Sequence, residues 1–127
     1  GGGLIAGSAV VARGLNPEIS IIGVETAMYP AMKQELAGEP VHVGGSTIAE
    51  GIAVKEVGRM PLEIVRQLVD DIVLVEEAHL ERAITLYAEV EKTIAEGAGA
   101  AGLAALLAHP ARFGRPANVQ PCHPRHQ

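Results

Sequence analysis

The sequence predicts an α/β fold, and three observations predict it. Two short β-branched apolar runs, Ile19–Glu25 and Ile72–Val75, read as buried strands. Helical patterns alternate with them along the chain. The apolar residues, 48% of the 127, are almost all aliphatic; only Tyr29, Tyr87 and Phe113 are aromatic. An aliphatic interior suits buried parallel strands covered by small-residue helices.

The elements follow in order. Gly1-Gly2-Gly3 runs directly into an apolar segment, Leu4–Leu15, that reads as a helix with Arg13 near its end, where a cation suits the helix dipole. Asn16-Pro17 ends it. Ile19–Glu25 is the first strand, with Glu25 at its C-terminal edge, the side on which open α/β sheets bind ligands. Pro30–Leu36 reads as a short helix, Gly38-Glu39-Pro40 as a turn and Val41–Val43 as a short strand. Gly44-Gly45-Ser46 turns the chain into Thr47–Val54, where Gly51 marks a bend or a close backbone approach. Pro61–Val69 fits a helix and Ile72–Val75 the second strand. In Glu76–Val90, Leu80, Ala83, Ile84, Tyr87 and Ala88 recur at helical spacing, and Glu76 and Glu77 suit the first turn. Glu96–Ala100 is a loop, and Ala100–Ala108 a small-residue helix closed by Pro110. From Ala111 onward nothing is periodic. The domain division is therefore 1–110 as the folded unit and 111–127 as an irregular, disordered tail.

Composition narrows the function. A net charge of −5 argues against nucleic acid or an anionic membrane as partner. A single cysteine, Cys122, excludes an internal disulfide and fits a reducing compartment. The longest nearly apolar run, Gly97–Ala108, is too short to span a bilayer. A soluble, cytoplasmic protein is the expectation.

The glycine-rich start is the strongest candidate site. A helix presents unpaired N–H groups and a positive dipole end to the loop before it, so Gly1, Gly2, Gly3 and Leu4 suit a phosphate. The same residues fit a loose dinucleotide pattern, Gly1-x-Gly3-x-x-Ala6, with Glu25 placed for a ribose. A tag remnant is the plain alternative. Glu25 can bind a ribose, ligate a metal, or be a solvated strand end, which is the reading favoured here. Glu96 can approach a ligand beside small residues or cap the next helix. Lys33, Lys55 and Lys92 read as solvated surface charges. Cys122, His123 and His126 have metal-ligand chemistry, but in a proline-rich end they read as fortuitous composition.

Taken together, the segments resemble one family, the threonine dehydratases and serine racemases. These are pyridoxal-phosphate enzymes of the tryptophan-synthase β-like fold. GGGLIAG at 1–7 resembles the glycine loop that holds the cofactor phosphate, and LNPEISIIGVE at 15–25 the helix end and strand after it. STIAEGIAV at 46–54, LVDDIVLV at 68–75 and EGAGAAGLAALL at 96–107 are similar to later landmarks in the same order. Threonine dehydratase is the nearer branch.

The resemblance implies an incomplete three-layer open sheet, a partial cofactor-binding domain over 1–110, and pyridoxal 5′-phosphate as cofactor. The backbone N–H groups of Gly1, Gly2, Gly3 and Leu4 would hold its phosphate, with Gly51 and Glu96 close to it. Glu25 matches a metal-binding glutamate of the racemase branch; the companion acid falls at Ala31, which speaks against a divalent metal. The family's Schiff-base lysine and ring-contacting asparagine precede the glycine loop and have no match here, so the chain has no catalytic residue of its own. Cys122 stands near where the family has a Ser-Gly-Gly-Asn or Cys-Gly-Gly-Asn turn, but no glycines follow it. The expectation is a truncated gene product with an out-of-frame end. Its parent would be a homo-oligomeric threonine ammonia-lyase of amino-acid metabolism, in isoleucine biosynthesis. It would convert L-threonine or L-serine to a 2-oxo acid and ammonia. Two other classes remain: a dinucleotide-binding module, and a non-catalytic small-ligand or interaction subunit completed by another chain.

Overall fold

The computed structural model describes residues 1–114. Two β-branched runs form the expected strands, β1 (Ile22–Thr26) and β2 (Asp71–Val75). They pair in parallel, with Ile22 opposite Asp71 and Thr26 opposite Val75. Parallel pairing requires a long crossover. That crossover holds the helices α2 (Ala31–Leu36) and α3 (Arg59–Leu68), with a 3₁₀ turn at Glu50–Ile52 between them. Helix α1 (Gly3–Leu15) precedes β1, and α4 (Glu77–Glu89) and α5 (Ala101–Ala108) follow β2.

The alternation of side chains along a strand divides the core into two layers. Ile72 faces Val65 of α3 and Met32 of α2, with Ile5 of α1 against them. Val73 and Val75 face the other way, onto Leu80 and Ala83 of α4 and Ala101, Ala104 and Ala105 of α5. The molecule is thus three layers, with α1–α3 on one side of the sheet and α4–α5 on the other. Alanines on α5 allow it to lie close to the strands. Leu80 is fully buried, a contribution of about 1.5–3 kcal/mol. Phe113, beyond the boundary expected at residue 110, packs against this same cluster.

Gly23 lets α1 seat against the sheet: a β-carbon there would lie 2.7 Å from Ile5 Cδ1 and 3.1 Å from Ile72 Cγ1. The far end of α1 is tied to α3. Arg13 stands in the last turn of α1, as the sequence suggested, and its guanidinium also reaches across to the end of α3. Nε and Nη2 donate to the Leu68 carbonyl at the end of α3, and Nη2 also reaches both carboxylate oxygens of Asp70 at 3.0 and 2.9 Å. Asp70 in turn accepts the Ile21 amide at 2.7 Å, fixing the entry to β1. That amide, with the Arg13 charge, holds the Asp70 carboxyl below its ordinary pKa.

One expected element is absent. Residues 41–43 form no strand. The Gln34 side-chain amide takes both backbone groups of His42 instead, Oε1 accepting its N–H at 2.9 Å and Nε2 donating to its carbonyl at 3.3 Å. A side chain has supplied the hydrogen bonds that a neighbouring strand would have given. The outer face of α1, with Leu4, Val11 and Leu15, stays exposed. Among the described residues, no helix is long and apolar enough to cross a membrane.

Candidate functional site

The glycine-rich start is held in place by the chain around it. The Gly1 ammonium donates to the Glu56 carbonyl at 3.0 Å, and the Gly58 amide donates to the Gly1 carbonyl at 3.0 Å. Gly2 is the N-cap of α1, with φ at +97°. Only glycine takes that conformation without strain. A β-carbon there would also lie 2.7 Å from Met32 Cε and 3.0 Å from Pro61 Cβ. No side chain caps α1, and no acid sits in its first turn. Its first N–H groups therefore keep their hydrogen-bonding capacity for a ligand.

This loop opens into a cleft of about 620 Å³. The floor is β1 from Ile22 to Glu25, one wall is the start of α1, and the opposite wall carries Gly51, Ile52 and Val54. Of the residues singled out in the sequence, Gly1, Gly2, Leu4, Glu25 and Gly51 line it. Gly3 does not line it and has open space beside its Cα. Glu96 stands just behind Gly51: a β-carbon on Gly51 would lie 3.9 Å from both Glu96 carboxylate oxygens and 3.0 Å from Ala98 Cβ.

Glu96 folds back on its own turn. Oε1 accepts the Gly99 amide at 2.9 Å and Oε2 the Ala98 amide at 3.2 Å. The carboxylate thus holds the turn that leads into α5.

Glu25 departs from the sequence reading. It is not a solvated strand end. Its two oxygens accept the Met32 and Lys33 amides at 3.0 and 2.9 Å, so the carboxylate caps the start of α2. Burial pushes its pKa above the ordinary glutamate value; the two amides and the nearby Lys33 charge offset part of that rise. Lys33 is also more than a solvated charge, since Nζ donates to the Ile72 carbonyl at 2.7 Å. None of the three lysines lines the cleft. Among the described residues, no group of three or more His, Cys, Asp or Glu is placed to hold a metal ion. Cys122, His123 and His126 lie outside the described residues.

Sequence reading missed a polar cluster behind the cleft. The Glu77 carboxylate accepts the Thr47 hydroxyl through Oε1 and the Ile48 amide through Oε2 at 2.8 Å. Thr26, fully buried at the end of β1, lies 3.5 Å from the same Oε1. These residues are about thirty and fifty positions from Glu77. The one local signal, an acid in a first helical turn, points to the dipole rather than to a remote loop.

The family described as pyridoxal-phosphate dependent enzyme matches residues 1–120. The chain belongs to that family. Membership separates it from the dinucleotide-binding class. An L-threonine ammonia-lyase of Thermotoga maritima is 45% identical over 109 residues, covering 84% of this chain and 27% of that protein. The L-threonine ammonia-lyase of Geobacter sulfurreducens is 48% identical over 112 residues, with the same coverage. The catabolic L-threonine dehydratase of Escherichia coli is 43% identical over 109 residues, covering 84% of this chain and 33% of that protein. The chain thus spans about a quarter to a third of the length of these relatives. Among solved structures, the threonine deaminase of T.th. superposes with a TM-score of 0.83 at 35% identity, over 90% of this chain and 43% of that one. Maize serine racemase superposes with a TM-score of 0.78 at 36% identity, over 84% of this chain and 34% of that one. The three-layer arrangement is therefore part of the fold that these pyridoxal-phosphate enzymes share.

Proposed function

We infer that residues 1–110 are the phosphate-binding portion of a pyridoxal-phosphate-dependent threonine (serine) ammonia-lyase. The whole enzyme would convert L-threonine to 2-oxobutanoate and ammonia as a soluble, cytoplasmic homo-oligomer of amino-acid metabolism, in isoleucine biosynthesis. The observation that carries this reading is the uncapped, glycine-rich start of α1 sharing one cleft with Gly51. The identities of 43–48% to threonine ammonia-lyases and dehydratases support the substrate class.

The residues fit the cofactor. Gly2 brings bare backbone to the cleft, and the first-turn amides of α1, with Leu4 among them, meet a phosphate with the positive end of the helix dipole. The apolar floor at Gly23, with Ile5 and Ile72 beside it, suits the flat face of a pyridine ring, and Gly51 keeps the opposite wall low. When bound, pyridoxal phosphate supplies the electron sink that eases loss of the substrate's Cα proton. The chain's own contribution is to bind and orient it. No lysine lines the cleft, so the group that would anchor the cofactor and move the proton is not among Lys33, Lys55 and Lys92. The 127-residue chain alone is therefore expected to form no 2-oxobutanoate from L-threonine. We read Glu25 as the cap of α2 rather than a metal ligand, since both its oxygens accept amides and Ala31 offers no companion ligand.

The test is Gly3→Asp. Gly3 has open space beside it. An acid in the first turn favours the helix by about 0.3–1 kcal/mol, but it adds a negative charge to the turn whose amides would meet the phosphate, which repels it. The variant should fold as well as the parent and lose pyridoxal-phosphate binding. Unchanged affinity would refute the phosphate site. The exposed apolar face of α1 favours a second reading, a subunit completed by a separate chain. That reading predicts a stable complex with a protein supplying the lysine-bearing portion.

A further inference from the structure

We propose that Glu77 is a positioning residue that sets the Gly51 wall of the cleft, acting through residues 47–49. The proposal rests on the cofactor reading above and extends it to a residue outside the cleft.

Glu77 does not line the cleft. It opens α4, two residues after the end of β2. Its carboxylate binds the remote loop at two successive residues, accepting the Thr47 hydroxyl and the Ile48 amide. Thr47 passes the constraint on, because its hydroxyl oxygen accepts the Ala49 amide at 3.2 Å. Ala49 is fully buried, and its carbonyl accepts the Ile52 amide at 3.1 Å, closing the 3₁₀ turn that contains Gly51. The chain of contacts therefore runs Glu77, Thr47 and Ile48, Ala49, Ile52, and encloses Gly51.

This arrangement is more than general packing. Residues 39–49 contain no helix or strand, so the loop has no ladder of its own to fix its height over the sheet. Ala49 contributes one methyl group to the core. Gln34 holds the loop at His42 and Tyr29 Oη holds it at Gly45; the Glu77 carboxylate is the side chain that holds its last part, at residues 47 and 48. Bonds to a charged acceptor are the stronger kind, and a carboxylate that accepts from two adjacent residues fixes orientation as well. Thr26 adds a contact from the end of β1, so the clamp refers the loop to the same strand that floors the cleft.

The experiment uses the full 127-residue chain and the variants Glu77→Gln, Glu77→Ala and Thr47→Val. Amide hydrogen exchange would be read at Ile48, Ala49 and Ile52, and at Gly23–Thr26 and Ile72–Val75 as internal controls. Exchange in the loop should rise about tenfold or more in Glu77→Ala, less in Glu77→Gln, which keeps one acceptor oxygen. The strand amides should change by less than about twofold. Thr47→Val, close in shape, should raise Ala49 and Ile52 while leaving the Ile48 bond to Glu77. Pyridoxal-phosphate affinity should fall about tenfold in Glu77→Ala, while inorganic phosphate, which needs only the glycine loop, binds unchanged. Unchanged loop exchange would overturn the proposal, and so would a uniform rise across loop and strands. Local loosening with unaltered pyridoxal-phosphate affinity would overturn it too. A parent chain that binds no pyridoxal phosphate would refute the cofactor reading, and the exchange pattern would still decide whether Glu77 holds the loop.

Discussion

Gly97 is where a single methyl group should do most damage. Its Cα lies against the backbone of the loop that carries Gly51. A β-carbon would sit 2.2 Å from the Ile48 carbonyl oxygen, 2.6 Å from its carbon and 2.8 Å from Ala49 Cα. All three are main-chain atoms, so no side-chain rotation relieves the overlap. Gly97 itself has no positive φ, so alanine would be conformationally acceptable and the effect is steric alone. Restoring an ordinary contact means moving residues 48–49 by about 1 Å, against the hold of Glu77 and the full burial of Ala49. Overpacking of this kind costs about 1–3 kcal/mol, or roughly 4–12 °C in midpoint for a domain of this size. Gly102, in α5, is the control. Nothing lies within 4 Å of its would-be β-carbon, so Gly102→Ala should stabilise the helix by about 0.5–1 kcal/mol. Urea unfolding of both variants then gives opposite signs for the same substitution five residues apart. A Gly97→Ala midpoint within about 0.5 kcal/mol of the parent, with pyridoxal-phosphate affinity intact, would refute the claim that this close approach sets the loop.

Other outcomes follow from the same geometry. Gly2→Ala should lose about 1–2 kcal/mol from the left-handed backbone alone, measured by urea unfolding, and should weaken pyridoxal-phosphate binding. Glu25 has a raised pKa in the folded chain, chiefly through burial. Between its unfolded and folded pKa values the folded chain binds more protons, so its stability contribution falls as pH rises through that interval and is regained on acidification toward about 4.3. Glu25→Gln should remove this slope from the unfolding midpoint measured between neutral and mildly acidic pH. Asp70 runs the other way. Its pKa is lowered by the Ile21 amide and Arg13, so its contribution is present above the ordinary aspartate range and lost as pH falls through the folded value. Asp70→Asn should be less stable than the parent near neutrality, and the difference should close in acid.

Much of the fold was legible because the strands and helices carry their own signals. Ile72–Val75 is β-branched, and Leu80, Ala83, Ile84 and Tyr87 share a helix face; both readings hold to within a residue or two. The start of α1 directly after the glycines was legible because an apolar run follows them at once. What the sequence hid was pairing at long range. Val41–Val43 has strand composition but no strand partner, and a strand exists only with its neighbour. Glu25 reads as a strand end, yet its oxygens meet amides seven and eight residues on. Arg13 suits its own helix dipole but binds Leu68 and Asp70 across 55 and 57 positions. Glu77 is the clearest case. Nothing local to it announces Thr47 and Ile48, and the cleft owes one wall to that contact.

The most direct test of the account is pyridoxal-phosphate binding to the purified chain, followed by absorbance, with inorganic phosphate as competitor, NADH as control ligand, and borohydride reduction of the complex. The account predicts saturable binding that inorganic phosphate displaces, no binding of NADH, and no covalent adduct on Lys33, Lys55 or Lys92. Absence of binding, or a reduced adduct on any of these lysines, would contradict it.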